Sequence, residues 1–508
     1  MDKSVTSNPT SLTAKNAAAG LCLLLGLLIV TAWLSGGGFL LSRDLWMDEV
    51  HSWLIITDAD TAHAMHALAD GADFNPPSWF LASRMLSSHL IPTTEISLRL
   101  LSLTWMLLAL SGLYLLLARH FTPIVCVTSV MLTACHPLLI HQSTEIRFYG
   151  FWCTLIVWLC CAIQWPTTTR FGATLKLLTI CILAALVSTC HYFGILSLAL
   201  VAAPLLLVRH RQQQHRAVAG LIIGSGIAAL TLCLPFLAGQ KAAISRPTWV
   251  SAPTFRDSLL FLQTLFPAWQ TALCLIAVLL TVMFFRPRVD SAEKLFCSFP
   301  EGMAAIVPCI CLSGMSLLIV GVSWTLQPAL VARYAIVGVL GVTPLLAMLL
   351  HQCSARLCGG ILLIAAGAFS SSTNACVEQW KAADSERTQL ARQLRDCPAT
   401  VVVFEDRIAW MPLLHKYPEL ATTCRLAEFE DAQLLRDSNL RIVQRDAGRR
   451  IEKWYPQYSL QKLETLNHDS QFYVVPYAEE AKCGLRYSAV YKPAAFSASI
   501  VRFSRHSL

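Results

Sequence analysis

Long apolar runs constrain this chain more than any other feature. They lie at about 17–41, 98–117, 122–140, 148–165, 174–190, 192–208, 217–238, 268–285, 302–323, 335–350 and 357–373, near the roughly 17–25 residues that a helix needs to cross a bilayer. Inside hydrocarbon the backbone must satisfy its own hydrogen bonds, so each run is expected to be a helix. Beyond about 373 the pattern gives way to ordinary globular sequence. Overall, 55% of residues are hydrophobic and 14% charged, a low charged fraction for a soluble chain. The expected fold is a polytopic α-helical membrane protein of about eleven transmembrane helices, carrying a C-terminal soluble α/β domain. Its parts are a cytoplasmic segment 1–16, a transmembrane domain 17–373 and an extracytoplasmic domain 374–508. The length of the first run, and the spans after it, favour a retained anchor over a cleaved signal peptide.

Lysine and arginine in the short loops set the orientation. With a cytoplasmic N-terminus, the inner loops hold Lys3, Lys15, Arg119, Arg170, Lys176, "RHRQQQHR" (209–216), "RPRVDSAEK" (286–294) and Arg356. The net charge of +8 is then mostly a topological signal. There is no basic stripe with interleaved aromatics and no zinc-finger spacing, so nucleic acid is not an expected partner. Most of the 19 cysteines fall in apolar spans, where a thiol acts as a small hydrophobe. Cys376, Cys397, Cys424 and Cys483 belong to the tail, and in an oxidising compartment they allow two disulfides in any of three pairings.

The connection 42–97 is the longest in the membrane part, and long structured loops tend to be functional. It opens with "LWMDEVHSW" (45–53). On a helical wheel Trp46, Val50, Trp53 and Leu54 share one face, the pattern of an interfacial helix with its aromatics at headgroup depth. Asp48 and His51, three apart, share another face, and Glu49 points a further 100° round. Solvated acids near a helix N-terminus are the plain alternative. Further ionisable groups gather on the same side: Arg99 at the edge of the second span, and Glu145, Arg147 and Tyr149 in "HQSTEIRFYG" (141–150). Charge at membrane depth is costly and usually functional, so one outward cavity is expected.

The set resembles the polytopic GT-C glycosyltransferases, specifically the family 39-like group with the protein O-mannosyltransferases and the transferases that put aminoarabinose on lipid A. The resemblance is carried by Asp48-Glu49-x-His51, Pro76-Pro77 with following aromatics, and "SLRLLS" opening the second span. Glu145-x-Arg147-x-Tyr149, "HYFG" (191–194) and "ARYAIVGVLGVTP" (332–344) complete it. It covers most of 17–350 in order and sidedness. Asn75 departs from the pattern, standing where His or a charged residue often precedes the double proline. The family implies a sugar donor on a polyprenyl phosphate, a hydroxyl acceptor (glycolipid, polysaccharide or protein), and catalysis at the outer face of a bacterial inner membrane.

That resemblance makes Asp48 the expected general base, with Glu49 as an orienting or structural partner and His51 bonded to Asp48 or substrate. Arg333, in the position of the family's Arg-Tyr motif, is the first candidate for the donor phosphate, followed by Arg147, Lys241 and Arg246. Glu145, Tyr149, Arg99, Asn75, His191 and Tyr334 are expected to line the cavity. Each cation could instead face lipid headgroups at a helix end. His63 and His66, with Asp48 or Glu145, could hold a divalent metal ion, at unspecific spacing. The rival function is a lipid or sugar transporter or flippase, which predicts ionisable groups spread across the midplane and reachable from both sides.

Overall fold

The computed structural model describes residues 9–207, 212–242, 252–266, 306–396, 402–404, 407–422, 424–428, 449–458, 460–462, 471–475, 491–496 and 501–505. The chain divides into two compact units. The first comprises Met1–Leu41, Arg99–Leu232 and Pro253–Val377; the second comprises Ser42–Leu98, Cys233–Ala252 and Glu378–Leu508.

The first unit is helical and carries the apolar spans. Among the described residues, seven helices are long and apolar enough to cross a membrane, or eight if a bent pair is one span. The chain is a multi-pass membrane protein. Every expected span has a helix except 268–285, which lies outside the described residues. The differences from expectation trace to glycine and proline. The first span ends at Leu34, not Leu41, because the chain turns at Gly36–Gly38, with Gly36 at φ 75°. The expected span 122–140 is two helices, Pro123–Ala134 and Pro137–Ser143, bent by 78°; Pro137 cannot donate the hydrogen bond a continuous helix would need. Tyr149–Ile163 and Gly194–Leu207 are only 15 and 14 residues long.

Hydrophobicity gives little force between helices in lipid, so close packing and interhelical hydrogen bonds hold the unit. Thr133 and Thr343 hydroxyls lie 2.9 Å apart, Ser35 and Ser370 hydroxyls 2.7 Å apart. Thr128 donates to the Cys358 carbonyl at 3.3 Å. Gly150 lets its helix approach Glu95–Leu117, since a Cβ there would meet the Ser102 carbonyl oxygen at 2.7 Å.

The last apolar helix, Ala355–Arg395, has 41 residues, about 60 Å at 1.5 Å per residue, twice a hydrocarbon core. It runs unbroken through the expected boundary at 373/374, and the unit boundary falls within it, at Val377/Glu378.

The second unit contains a six-stranded sheet in the order β3-β2-β1-β4-β6-β5. The strands are β1 Val402–Phe404, β2 Cys424–Glu428, β3 Leu460–Lys462, β4 Gln471–Val475, β5 Tyr491–Phe496 and β6 Val501–Arg505. β1 pairs in parallel with β2 and β4, β2 with β3, and β6 runs antiparallel to β4 and β5. β1 and β4 lie within the stretches 399–406 and 471–478, whose β-branched and aromatic residues read as strands. A third stretch whose alternation reads as a strand, 485–492, lies mostly outside the described residues. Cys376 and Cys424 are buried; Cys397 and Cys483 lie outside the described residues, and so does any pairing of the four.

The same unit holds the first-loop helices Met47–Thr57, Thr61–Ala69 and Ser78–His89. Met47–Thr57 is not an interfacial helix. Val50, Leu54 and Ile55 are buried where it packs on Ser78–His89 and Arg407–Lys416, and the Trp53 ring meets the His415 ring edge-on at 4.7 Å. The apolar face that a wheel assigns to lipid is protein core.

Candidate functional site

In the first unit the tight turn 145–147 closes with the Arg147 amide donating to the Glu145 carbonyl at 2.7 Å, a three-residue turn pinned by fully buried Ile146. It sets the Glu145 and Arg147 side chains just before the helix that begins at Tyr149. All three are buried. The Glu145 carboxylate lies 2.8 Å from His141 Nδ1, and both Glu145 and Arg147 act electrostatically on Tyr149.

His191 comes from the turn between two spans. Gly194 makes this turn possible, because a Cβ there would collide with the Val187 carbonyl. The imidazole is buried among Phe148, Trp152, Phe193 and Tyr334, at ring distances of 4.7, 5.0, 5.3 and 5.3 Å. Its Nδ1 accepts from the Phe193 amide at 3.3 Å, which assigns the ring proton to Nε2. Burial first, then the Arg147 and Arg333 charges, hold its pKa well below the ordinary histidine value. His191 is therefore a neutral hydrogen-bond donor.

Arg333 and Tyr334 lie in the 3₁₀ turn Ala332–Ala335. Both are half-buried, and Tyr334 reaches His191 and Phe193. Arg333 acts on Tyr149 and His191, as Arg147 does. The unit thus assembles Glu145, Arg147, Tyr149, His191, Arg333 and Tyr334, drawn from three separate sequence motifs. Two guanidiniums beside a neutral imidazole form a donor set suited to an oxyanion, above all a phosphate. Arg99 is fully buried and donates to the Leu41 carbonyl at 3.3 Å, so it does not snorkel to bulk lipid.

In the second unit Asp48 and Glu49 occupy the first turn of Met47–Thr57. Asp48 is half-buried. Glu49 is fully buried and takes a two-pronged contact from Arg43, at 2.7 and 3.2 Å, plus the Trp46 amide at 3.2 Å. Arg43, equally buried, lies 3.8 Å from the centre of the Trp380 ring. His51 is buried too. Asn75 donates to Asp73 at 2.6 Å, and its carbonyl accepts from Gln240 at 3.0 Å, which ties the double-proline loop to helix Leu234–Ala242. Lys241 is exposed in the last turn of that helix. Arg246 lies outside the described residues.

Among the described residues no group of three or more His, Cys, Asp or Glu could hold a metal ion. His63 is engaged by Asp58 at 2.5 Å and by the Trp454 ring, on which His66 also stacks. Sequence reasoning missed Arg43, Asp58 and Asp70. For Arg43 a local signal existed, a cation just ahead of a helix with an acid in its first turn. The other two find partners nearly 400 residues away.

No family model matches the chain, and no curated protein does. Among the solved structures that match the chain, two do so over nearly its whole length and are the same protein in two states. ArnT from Cupriavidus metallidurans bound to undecaprenyl phosphate is 12% identical with a TM-score of 0.54, covering 96% of this chain and 98% of that one. The same protein in the apo state is 11% identical with a TM-score of 0.58, at the same coverage. The chain has the fold of ArnT.

Proposed function

We propose that this protein is a membrane glycosyltransferase, family 39-like. It moves a hexose or pentose from a polyprenyl-phosphate donor to a hydroxyl acceptor at the outer face of a bacterial inner membrane. The observation that carries the reading is the arginine pair, Arg147 and Arg333, set around neutral His191 and Tyr149 in a bilayer-embedded unit. ArnT, with the same fold, binds undecaprenyl phosphate in one of its two structures.

In the reaction the acceptor oxygen attacks the anomeric carbon, and the bond from that carbon to the phosphate oxygen breaks with its electron pair. The leaving group is a polyprenyl phosphate whose negative charge grows in the transition state. Arg333 and Arg147 stabilise that charge, and His191 Nε2 donates a further hydrogen bond. The acceptor proton passes to Asp48 as general base. Glu49 positions the start of that helix by holding Arg43. The acceptor is a hydroxyl of a glycolipid, an envelope polysaccharide or a protein.

Purified full-length protein supplied with a polyprenyl-phosphate sugar and candidate acceptors tests this. Arg333→Ala removes one charge-assisted contact of about 1.5–3 kcal/mol, so turnover at limiting donor should fall about ten-fold or more. A folded variant with unchanged kinetics would move the phosphate site away from Arg333. Lipid translocation without any sugar transfer would replace the reading with a flippase.

A further inference from the structure

The helix Met47–Thr57, which carries Asp48, begins after four non-helical residues, 43–46. Trp46 stands at its N-cap and has no side-chain oxygen with which to fix the first turn. Backbone groups in such a connection need partners from elsewhere, and here side chains supply them. Arg43 donates to the Asp44 carbonyl at 3.2 Å, and the Trp46 amide donates to Glu49 at 3.2 Å. Those partners are local. The Asp44 amide instead donates to Asp384 Oδ2 at 3.0 Å, across 340 residues of sequence.

Asp384 belongs to the part of the helix Ala355–Arg395 that the second unit includes. Trp380, Asp384 and Arg387 follow one another by four and three residues, so they share one face of that helix. Trp380 meets the Arg43 guanidinium at 3.8 Å, and Asp384 takes the Asp44 amide. Arg387 donates to Asp384 Oδ1 at 3.2 Å and lies 3.9 Å from the Asp44 carboxylate. Lys416, at the end of Arg407–Lys416, reaches the same carboxylate at 2.6 Å. The Asp44 and Asp384 side chains are only 9% and 15% exposed, and the two cations balance their charges. An ionised carboxylate accepting from an amide makes one of the stronger hydrogen bonds. It also acts on the backbone itself, whereas the surrounding ion pairs act through side chains that can rotate.

We propose that Asp384 is a positioning residue for sugar transfer. By fixing the backbone at Asp44 it sets where the helix Met47–Thr57 starts, and hence the direction in which Asp48 presents its carboxylate to the acceptor. The inference rests on the transferase reading with Asp48 as base, and it gives the far end of the long helix a part in the reaction. Arg147 and Arg333, assigned to the donor phosphate, belong to the other unit, so donor affinity does not depend on this bond.

The test compares Asp384→Ala with Asp384→Asn in the full-length protein, by steady-state transfer from a polyprenyl-phosphate sugar and by hydrogen exchange. Both variants lose the ion pair with Arg387, but asparagine keeps an oxygen that can accept the Asp44 amide and alanine does not. Asp384→Ala should lower kcat about ten-fold or more, the effect of slightly misplacing a catalytic group, with the donor KM unchanged. Asp384→Asn should keep most of the wild-type kcat. Equal losses in the two variants would assign the effect to the ion pair, and an unchanged kcat in Asp384→Ala would show the helix positioned without it. Either result overturns the inference. Exchange of the amides of residues 44–50 needs no sugar, and it should quicken in Asp384→Ala but not in Asp384→Asn. Unchanged exchange in Asp384→Ala also overturns the inference. A wild-type protein that transfers no sugar would remove the transferase reading and this role with it, and the exchange comparison would still show whether Asp384 holds the segment.

Discussion

Asp48 and Glu49 are adjacent and chemically alike, yet their surroundings separate them. Glu49 is buried against Arg43 with both carboxylate oxygens engaged, which leaves it poorly placed to take a proton. Glu49→Gln strands the Arg43 charge away from water, and breaking a buried pair in this way costs about 3–5 kcal/mol. Thermal unfolding in detergent should show that loss. Asp48→Asn should leave unfolding nearly unchanged and reduce sugar transfer by about 10²–10⁴-fold, the usual contribution of a placed general base. Near-wild-type transfer by Asp48→Asn would remove it as the base. This difference was only half legible in the sequence. Helical geometry points the two side chains about 100° apart, but Arg43 was not singled out, and nothing local marks Trp380 as its stacking partner.

At the scale of elements, the first loop is bound to a distant part of its own unit by two carboxylates. Asp70 accepts from Arg450 at 2.9 Å, Lys453 at 2.7 Å and the Trp454 indole at 2.9 Å. Asp58 accepts from Tyr455 at 3.1 Å as well as engaging His63. Burial pushes both carboxyls up, but for Asp70 the lysine, indole and arginine, and for Asp58 His63, the Asp60 amide and Tyr455, outweigh it, so both pKa values are lowered. A lowered carboxyl stabilises the folded state above its unfolded value, here 3.8, and that contribution fades as pH falls through the folded value. Hydrogen exchange of residues 449–458, measured relative to the intrinsic amide rate at each pH, should therefore be strongly slowed at neutral pH and less so in acid. Asp70→Asn should quicken it at pH 7 without touching the strands; equal protection in variant and wild type would show that apolar packing alone holds the segment. The partners lie some 380 residues apart, and single-sequence patterns carry no information about such pairs. The broken and shortened spans were closer to legible, since Pro137 and Gly36–Gly38 stand in the sequence, yet a hydropathy window averages over them.

For the whole molecule, the order of the motifs read further than any single residue did. Glu145, Arg147, His191 and Arg333 are spread over almost 190 residues, and they lie in turns and a short 3₁₀ helix between the longer helices of the first unit. The sequence reading placed the 42–97 loop and the tail on one side through positive-inside counting, which depends on every span being counted correctly. The structure supplies an independent constraint. Asp70 and Arg450 lie 2.9 Å apart within one compact unit, so these two residues face the same side of the bilayer. Single cysteines introduced at Asp60 and at Glu452, both away from the buried core, should therefore react with a membrane-impermeant maleimide from the same face. Arginine and lysine counts predict that this face is the outside; on that prediction intact spheroplasts should label both, while a cysteine at Gln213 should label only after permeabilisation. Labelling of 60 and 452 from opposite faces would break the second unit as a folded body. Labelling of both only after permeabilisation would keep the unit and invert the topology, moving Asp48 to the cytoplasmic face and with it the source of the sugar donor.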